Sequence, residues 1–243
     1  MRVGILQPGF VPWLGYFDLL DWCDVFVILD HVQFTDRDWR TRNKILTGTG
    51  PQWINVPVRK QYPEGVSTRL PIDRIEIAVD ARWRDKHLEL LRHAYGRAPY
   101  YDWLFPQWKS VITDTTMPLV DFLQQTTHIL SNALGLNKKV ISSRSLNISS
   151  NKAQLIIDLC VALGATEYLS GPAAMDYLDA TAFENLGIDL QFQNYQCMPY
   201  QQMHDAPFIS HLSVLDLLFM SGPDAVHVLR EGHQVQRIQK IAS

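Results

Sequence analysis

Residues 1–45, MRVGILQPGFVPWLGYFDLLDWCDVFVILDHVQFTDRDWRTRNKI, decide the fold. The apolar run at 2–6 reads as a strand, and the Gly/Pro-containing residues 7–12 read as a loop. Trp13, Leu14, Gly15 and Tyr16 open a helix in which Leu14, Phe17 and Leu20 recur on one face, with Asp18 and Asp21 off it. A second strand follows at 25–29. Strand, loop, helix and strand in this order predict a βαβ unit with parallel strands. Ligands of open parallel sheets collect beyond the carboxyl ends of the strands. Those ends carry Gln7, Pro8, Asp30, His31 and Gln33, so the search for chemistry starts there.

Outward from this unit, the chain turns polar, with Arg37, Arg40, Arg42 and Lys44 within eight positions. Guanidinium forks match phosphate and carboxylate, so the cluster suits an anion; Asp36 and Asp38 beside it also allow a solvated basic loop. Residues 53–58 and 72–79 read as strands, the second alternating apolar with polar. The charged, Pro- and Gly-containing residues 59–71 between them read as a mobile loop, a candidate lid. A helix is expected over about 81–95, with Trp83, His87, Leu90, Leu91 and Ala94 along one stripe. His87 is either a core histidine or a general base. The aromatic cluster around Tyr100, Tyr101 and Trp103 is either core or a sugar-stacking platform. Pro118 suits the first turn of a helix reaching about 134, with Thr115 or Thr116 as its cap and Gly135 ending it.

Beyond 135 the alternation is regular. Strands are expected at 140–143, 167–170 and 188–192, separated by helices at 151–163 and 180–186. An amphipathic helix capped by Ser210 or Ser213 follows and stops at Gly222, and a frayed tail is expected from about Arg230. The fold class is therefore α/β: a mostly parallel, doubly wound sheet flanked by helices, one domain over 1–243, with an inserted α+β segment at 58–108.

Composition bounds the function. A chain of 243 residues with 47% hydrophobic and 19% charged residues folds and buries a full core. The net charge of −3 gives no electrostatic reason for a nucleic-acid partner. Cys23, Cys160 and Cys197 are too few and too far apart for a disulfide framework or a zinc knuckle; Cys23 and Cys160 read as buried small hydrophobes. His87 and His93 do not share a helical face, and no metal site is expected. His204 with Asp205, and His211 with Asp216, are further acid–base candidates. No apolar run reaches the roughly twenty residues of a membrane span, and a strand starting almost at Met1 excludes a signal peptide. A cytoplasmic location follows as the expectation.

No P-loop, G-x-G-x-x-G, H-E-x-x-H or G-x-S-x-G is present. Residues 13–16, Trp-Leu-Gly-Tyr, resemble the start of helix one in nucleotidylyltransferase-like enzymes, which carry H-x-G-H there. The glycine is kept and aromatics fill both histidine positions. The resemblance implies a nucleotidylyltransferase-like (HUP-like) fold and puts adenylyl transfer by the usual route in doubt. Over nearly the whole chain the sequence resembles the WbqC-like family. The carriers include Gln7-Pro8, Pro12 to Phe17, Asp24 to Val27, Asp30, Val32 to Phe34, Arg42 to Ile45, Lys86-His87, Pro99-Tyr100, Tyr168 to Gly171 and Leu212 to Asp216. Some members of that family are encoded among genes for O-antigen and other surface polysaccharides. The resemblance thus implies a transferase attaching an acyl or aminoacyl group to a nucleotide-linked amino sugar.

On that reading Gln7, Pro8, Trp13, Gly15, Tyr16, Ser170 and Gly171 bind substrate, and Arg42 and Lys44 hold phosphates. Asp30 and Asn43 join His87, the candidate base, in the catalytic group. No cofactor is required, although a nucleotide (ATP or a nucleotide-sugar) is a possible ligand. The alternatives are a nucleotidylyltransferase or ATP-dependent ligase, and a non-catalytic sugar-nucleotide-binding protein.

Overall fold

The computed structural model describes residues 1–80, 82–113, 117–203 and 207–236. Ala81, the caps expected at Thr115 or Thr116, and His204 with Asp205 lie outside the described residues.

Strand β1 (Arg2–Leu6), helix α1 (Leu14–Trp22) and strand β2 (Val25–Ile28) form the opening unit. Val3 to Leu6 pair in parallel with Val25 to Ile28. All four residues of β2 are buried, as an apolar strand covered on both faces must be. Between β2 and its other neighbour lies a long excursion. It holds an antiparallel hairpin of β3 (Arg42–Thr47) and β4 (Gly50–Asn55), and a two-residue pair, β5 (Gln61–Tyr62) and β6 (Gly65–Val66). Helices α2 (Arg82–Tyr95), α3 (Tyr101–Thr113) and α4 (Leu119–Ala133) complete it. Strand β7 (Lys139–Ser142) then pairs in parallel with β2.

The chain next crosses the sheet. After α5 (Lys152–Ala162), strand β8 (Glu167–Ser170) pairs in parallel with the free side of β1. After α6 (Ala180–Glu184), strand β9 (Asp189–Gln193) continues outward in parallel with β8. Helices α7 (Val214–Ser221) and α8 (Ala225–Glu231) precede β10 (Val235–Gln236), an antiparallel edge on β9. The order across the sheet is β10-β9-β8-β1-β2-β7, and its direction of growth reverses between β1 and β8.

Side chains alternate across this sheet, as the period of two requires. Phe26, Ile28 and Leu169 enter the core that also holds residues of α1, α2, α3, α4 and α7. Val3, Ile5, Val25, Val27, Tyr168 and Phe192 face α5 and α6. Gly135, Gly164 and Gly187 follow α4, α5 and α6 at φ of 69°, 66° and 72°, the left-handed conformation that closes a helix. Ser213 caps α7 by accepting from the Leu215 amide. Cys23 and Cys160 are buried, which pushes both thiols up to about 12. Among the described residues no helix is long and apolar enough to cross a membrane.

Two expectations are corrected, and Asp18 takes a place that its spacing left open. Residues 72–79 are not a strand: a 3-10 turn spans Ile72–Arg74, and Ile77 makes one isolated bridge to Val58. Alternation cannot register that Ile72 and Ile75 point into one core from a single tight turn. Asp18, off the apolar face of α1, is buried all the same, because β9 and His233 supply its partners. Arg230 does not begin a tail; it lies in α8 and pairs with Asp21 at 2.7 Å.

Candidate functional site

The loop at 7–12 leaves β1 at the point where the strand order reverses, and three contacts fix its path. The Phe10 amide donates to the Trp39 carbonyl at 3.0 Å, and the Val214 amide donates to the Pro12 carbonyl at 2.9 Å. Asn43, 1% exposed, donates from Nδ2 to the Val11 carbonyl at 2.8 Å. Val11 has φ of 42°, a left-handed conformation costly for a β-branched residue, so the loop is held there by its surroundings. The Asn43 oxygen accepts from the Lys44 amide at 2.8 Å. Asn43 therefore shapes the loop with its whole amide, although it lines the cleft as well.

That cleft has a volume of about 570 Å³ and spans the reversal between β1 and β8. Its walls include Gln7, Pro8, Trp13, Gly15 and Tyr16 from the β1 side, and Ser170 and Gly171 from the end of β8. The structure thus gathers these seven expected residues in one place. Trp13 is stacked on His211 with ring centroids 4.9 Å apart, and Tyr195 meets it edge-on at 5.6 Å. A Cβ on Gly15 would run into the Trp13 ring, so this glycine makes room for the indole. Tyr16 packs edge-on to Phe17 and Phe26, and its burial raises the phenol pKa. At the floor, the Gln193 amide donates to the Gly15 carbonyl at 2.7 Å and to Asp18 at 2.5 Å. His233 lies 2.7 Å from the other Asp18 oxygen, and that contact raises its pKa.

The cation that lines the cleft is Arg40. Its side chain is 13% exposed and pairs with Asp38, which also lines the cleft, and Nε has no partner. Arg42 and Lys44 line neither this cleft nor its neighbour. They lie over the Trp53 ring, at 4.3 and 4.9 Å, because neighbouring β3 and β4 place them on that face. Arg42 and Lys44, expected to hold phosphates, thus stand outside both cavities, whereas Arg40, two residues before Arg42, lines the cleft.

A second cavity of about 780 Å³ adjoins the first, sharing Gln7, Leu29, Ile156 and Tyr177. His31, Gln33 and Lys152 lie in its wall. Gln33 donates to the Thr68 carbonyl at 2.7 Å, which ties the segment expected to be a lid to this rim.

Behind that wall lies Asp30, fully buried and lining neither cavity. Its carboxylate accepts from Ser142 Oγ at 2.6 Å, Gln124 Nε2 at 2.9 Å, Ser143 Oγ at 3.0 Å and Arg144 Nε at 3.1 Å. The expectation of Asp30 in the catalytic group is corrected to this extent: it has no surface in either cavity and joins the ends of β2 and β7 to α4. Four donors thereby satisfy a carboxylate that is shut away from water.

His87 is corrected too. It is 4% exposed, among Phe10, Trp83 and Trp108, and lines neither cavity. Trp108 donates to its Nε2 at 2.9 Å, and burial lowers its pKa to about 3. A base that neither cavity reaches cannot take a proton from a ligand there. His211 and Asp216 are likewise separate: Asp216 is buried and accepts from Tyr95, Tyr200 and Gln202, while His211 stacks on Trp13. Sequence reading placed His31 at a strand end but gave it no role. Its signal was position, at the end of an interior strand beside the reversal.

The family model of the WbqC-like protein family matches residues 7–228. The uncharacterized protein Rv1507c of Mycobacterium tuberculosis (strain ATCC 25618 / H37Rv) is 34% identical over 235 residues, covering 94% of this chain and 97% of its own. No solved structure matches the chain.

Proposed function

The chain belongs to the WbqC-like protein family, and we propose that it is a transferase of surface-polysaccharide biosynthesis that attaches an acyl or aminoacyl group to a nucleotide-linked amino sugar. The observation that carries this reading is the cleft at the strand-order reversal. Its volume lies within the ~300–1,000 Å³ of small-molecule sites. A nucleotide-linked sugar presents an aromatic base, hydroxyls and a diphosphate. The cleft offers Trp13 as an aromatic wall, Gln7 and Ser170 as polar groups and Arg40 as a cation. The Gln7 side-chain oxygen is buried without a partner, so a ligand hydroxyl or amine would satisfy it.

One observation favours a second reading, a nucleotidylyltransferase or ATP-dependent ligase. Counted along the chain, the five parallel strands stand in the order 5-4-1-2-3, which is that of a doubly wound, nucleotide-binding sheet. This supports the nucleotidylyltransferase-like reading of the fold. Against it stands the aromatic character of Trp13 and Tyr16, which offer no charge to a transferring phosphate.

A thermal-shift panel of nucleoside triphosphates, nucleotide-linked amino sugars and acyl donors tests these readings. A ligand at about one hundred times its Kd adds ~2.7 kcal/mol of stability. The transferase reading expects a shift with a nucleotide-linked amino sugar, then an acylated sugar by mass spectrometry once a donor is added. A shift with a triphosphate alone moves the reading to the nucleotidylyltransferase. Binding of the sugar nucleotide with no product from any donor leaves a binding protein.

A further inference from the structure

The hydrogen bonds around Ser143 fix the state of a histidine that no expected role had used. Ser143 Oγ has one proton and two lone pairs. It lies 3.0 Å from an oxygen of Asp30, 3.1 Å from the Asp30 backbone amide and 2.6 Å from His31 Nδ1. The amide can only donate. The Asp30 carboxylate already accepts from Ser142, Gln124 and Arg144, so it acts as an acceptor towards Ser143 too. The single Ser143 proton is thereby committed to Asp30, and the remaining lone pair must accept from His31. Nδ1 therefore carries a proton, and in the neutral ring the lone pair is on Nε2.

Nε2 is buried with no partner, in a residue that lines the second cavity. Gln7, whose own oxygen is unpartnered, stands in the wall shared with the cleft. Lys152 contributes a cation to the same cavity. The two cavities share Gln7, Leu29, Ile156 and Tyr177, so a molecule in each would lie on either side of Gln7.

From this geometry we infer that His31 is the proton acceptor of the transfer and that the second cavity receives an activated acyl donor bearing a phosphate. The inference rests on the transferase reading for the identity of the acceptor. The amino-sugar nitrogen bonds to the acyl carbonyl carbon, and the bond from that carbon to its leaving group breaks, the leaving group taking the electron pair. The proton lost by the nitrogen passes to His31 Nε2. Asp30 and Ser143 are positioning residues that hold the tautomer, the work a carboxylate does for a catalytic imidazole elsewhere.

The test is a long-range proton–nitrogen NMR spectrum of the 15N-labelled, ligand-free protein. His31 is expected as the Nδ1–H tautomer, and Ser143→Ala should abolish that preference. An Nε2–H tautomer in the wild-type protein overturns the inference, whether or not the variant folds. Acetyl phosphate, added as a probe of the second cavity, should move the His31 Nε2 signal and leave His87 unchanged. No movement at millimolar probe overturns the donor assignment. Neither readout uses a sugar nucleotide, so they stand or fall separately from binding in the cleft.

Discussion

His87 shows how burial decides what a residue can do. Its imidazole is held neutral by the aromatic core, with a folded pKa of about 3 against an ordinary value of 6.5. Because the folded value is the lower one, the unfolded chain binds the proton first as pH falls. The stabilisation is complete above about 6.5 and is lost progressively as pH drops towards 3. Each pKa unit is worth ~1.4 kcal/mol, so the loss across this window reaches several kcal/mol. His87→Gln keeps an acceptor for Trp108 without a titrating ring, and urea unfolding at stepped pH should give it a flatter profile over that window. His233 has the opposite sign: Asp18 raises its pKa, so its contribution is present below 6.5 and lost as pH rises through the raised value. An unchanged slope in His87→Gln would mean that the imidazole is not buried neutral. The sequence placed His87 on an apolar stripe and left two roles open. Burial and the Trp108 bond, both made across helices, choose between them.

At the scale of elements, the ends of β2 and β7 are joined through one carboxylate. Asp30 gathers Ser142 from the end of β7, Ser143 and Arg144 from just beyond it and Gln124 from α4. Removing this carboxylate leaves buried donors without an acceptor, which costs roughly 1–3 kcal/mol, while Arg144, 37% exposed, keeps Asp121 at 3.6 Å. Asp30→Ala should lower stability by that amount in chemical denaturation, and a loss below about 1 kcal/mol would show that the network is not a clamp. Asn43→Ala is a second case. It frees the carbonyl of Val11, at φ of 42°, and leaves the Lys44 amide without its side-chain acceptor. A cost of about 1–3 kcal/mol is expected, together with weaker ligand binding in the cleft, measured by thermal shift. Most elements were legible because helix and strand periods are local properties: β1, α1, β2, α5, β8, α6 and β9 fall close to where the pattern put them. The turn at Ile72–Arg74 was not, since its core contacts come from distant chain. Nor was the direction in which Arg42 and Lys44 face, which depends on the pairing of β3 with β4.

For the whole molecule, the alternation of strand and helix announced a parallel sheet, while the order of its strands came only with the fold. The crossing from β7 to the far side of β1 brings Ser170 and Gly171 to Gln7 and Trp13, more than 150 residues away in the chain. The β3–β4 hairpin in turn separates residues close in sequence: Arg40 enters the cleft while Arg42 stacks on Trp53 outside it. This contrast makes the account testable. The most direct measurement is calorimetric titration of nucleotide-linked amino sugars into the wild-type protein, Arg40→Ala and Arg42→Ala. Saturable binding that falls about tenfold or more in Arg40→Ala, a loss of roughly 1.4 kcal/mol, and stays unchanged in Arg42→Ala is the predicted result. No binding of any sugar nucleotide, or a loss confined to Arg42→Ala, would contradict the placement of the substrate in the cleft between β1 and β8.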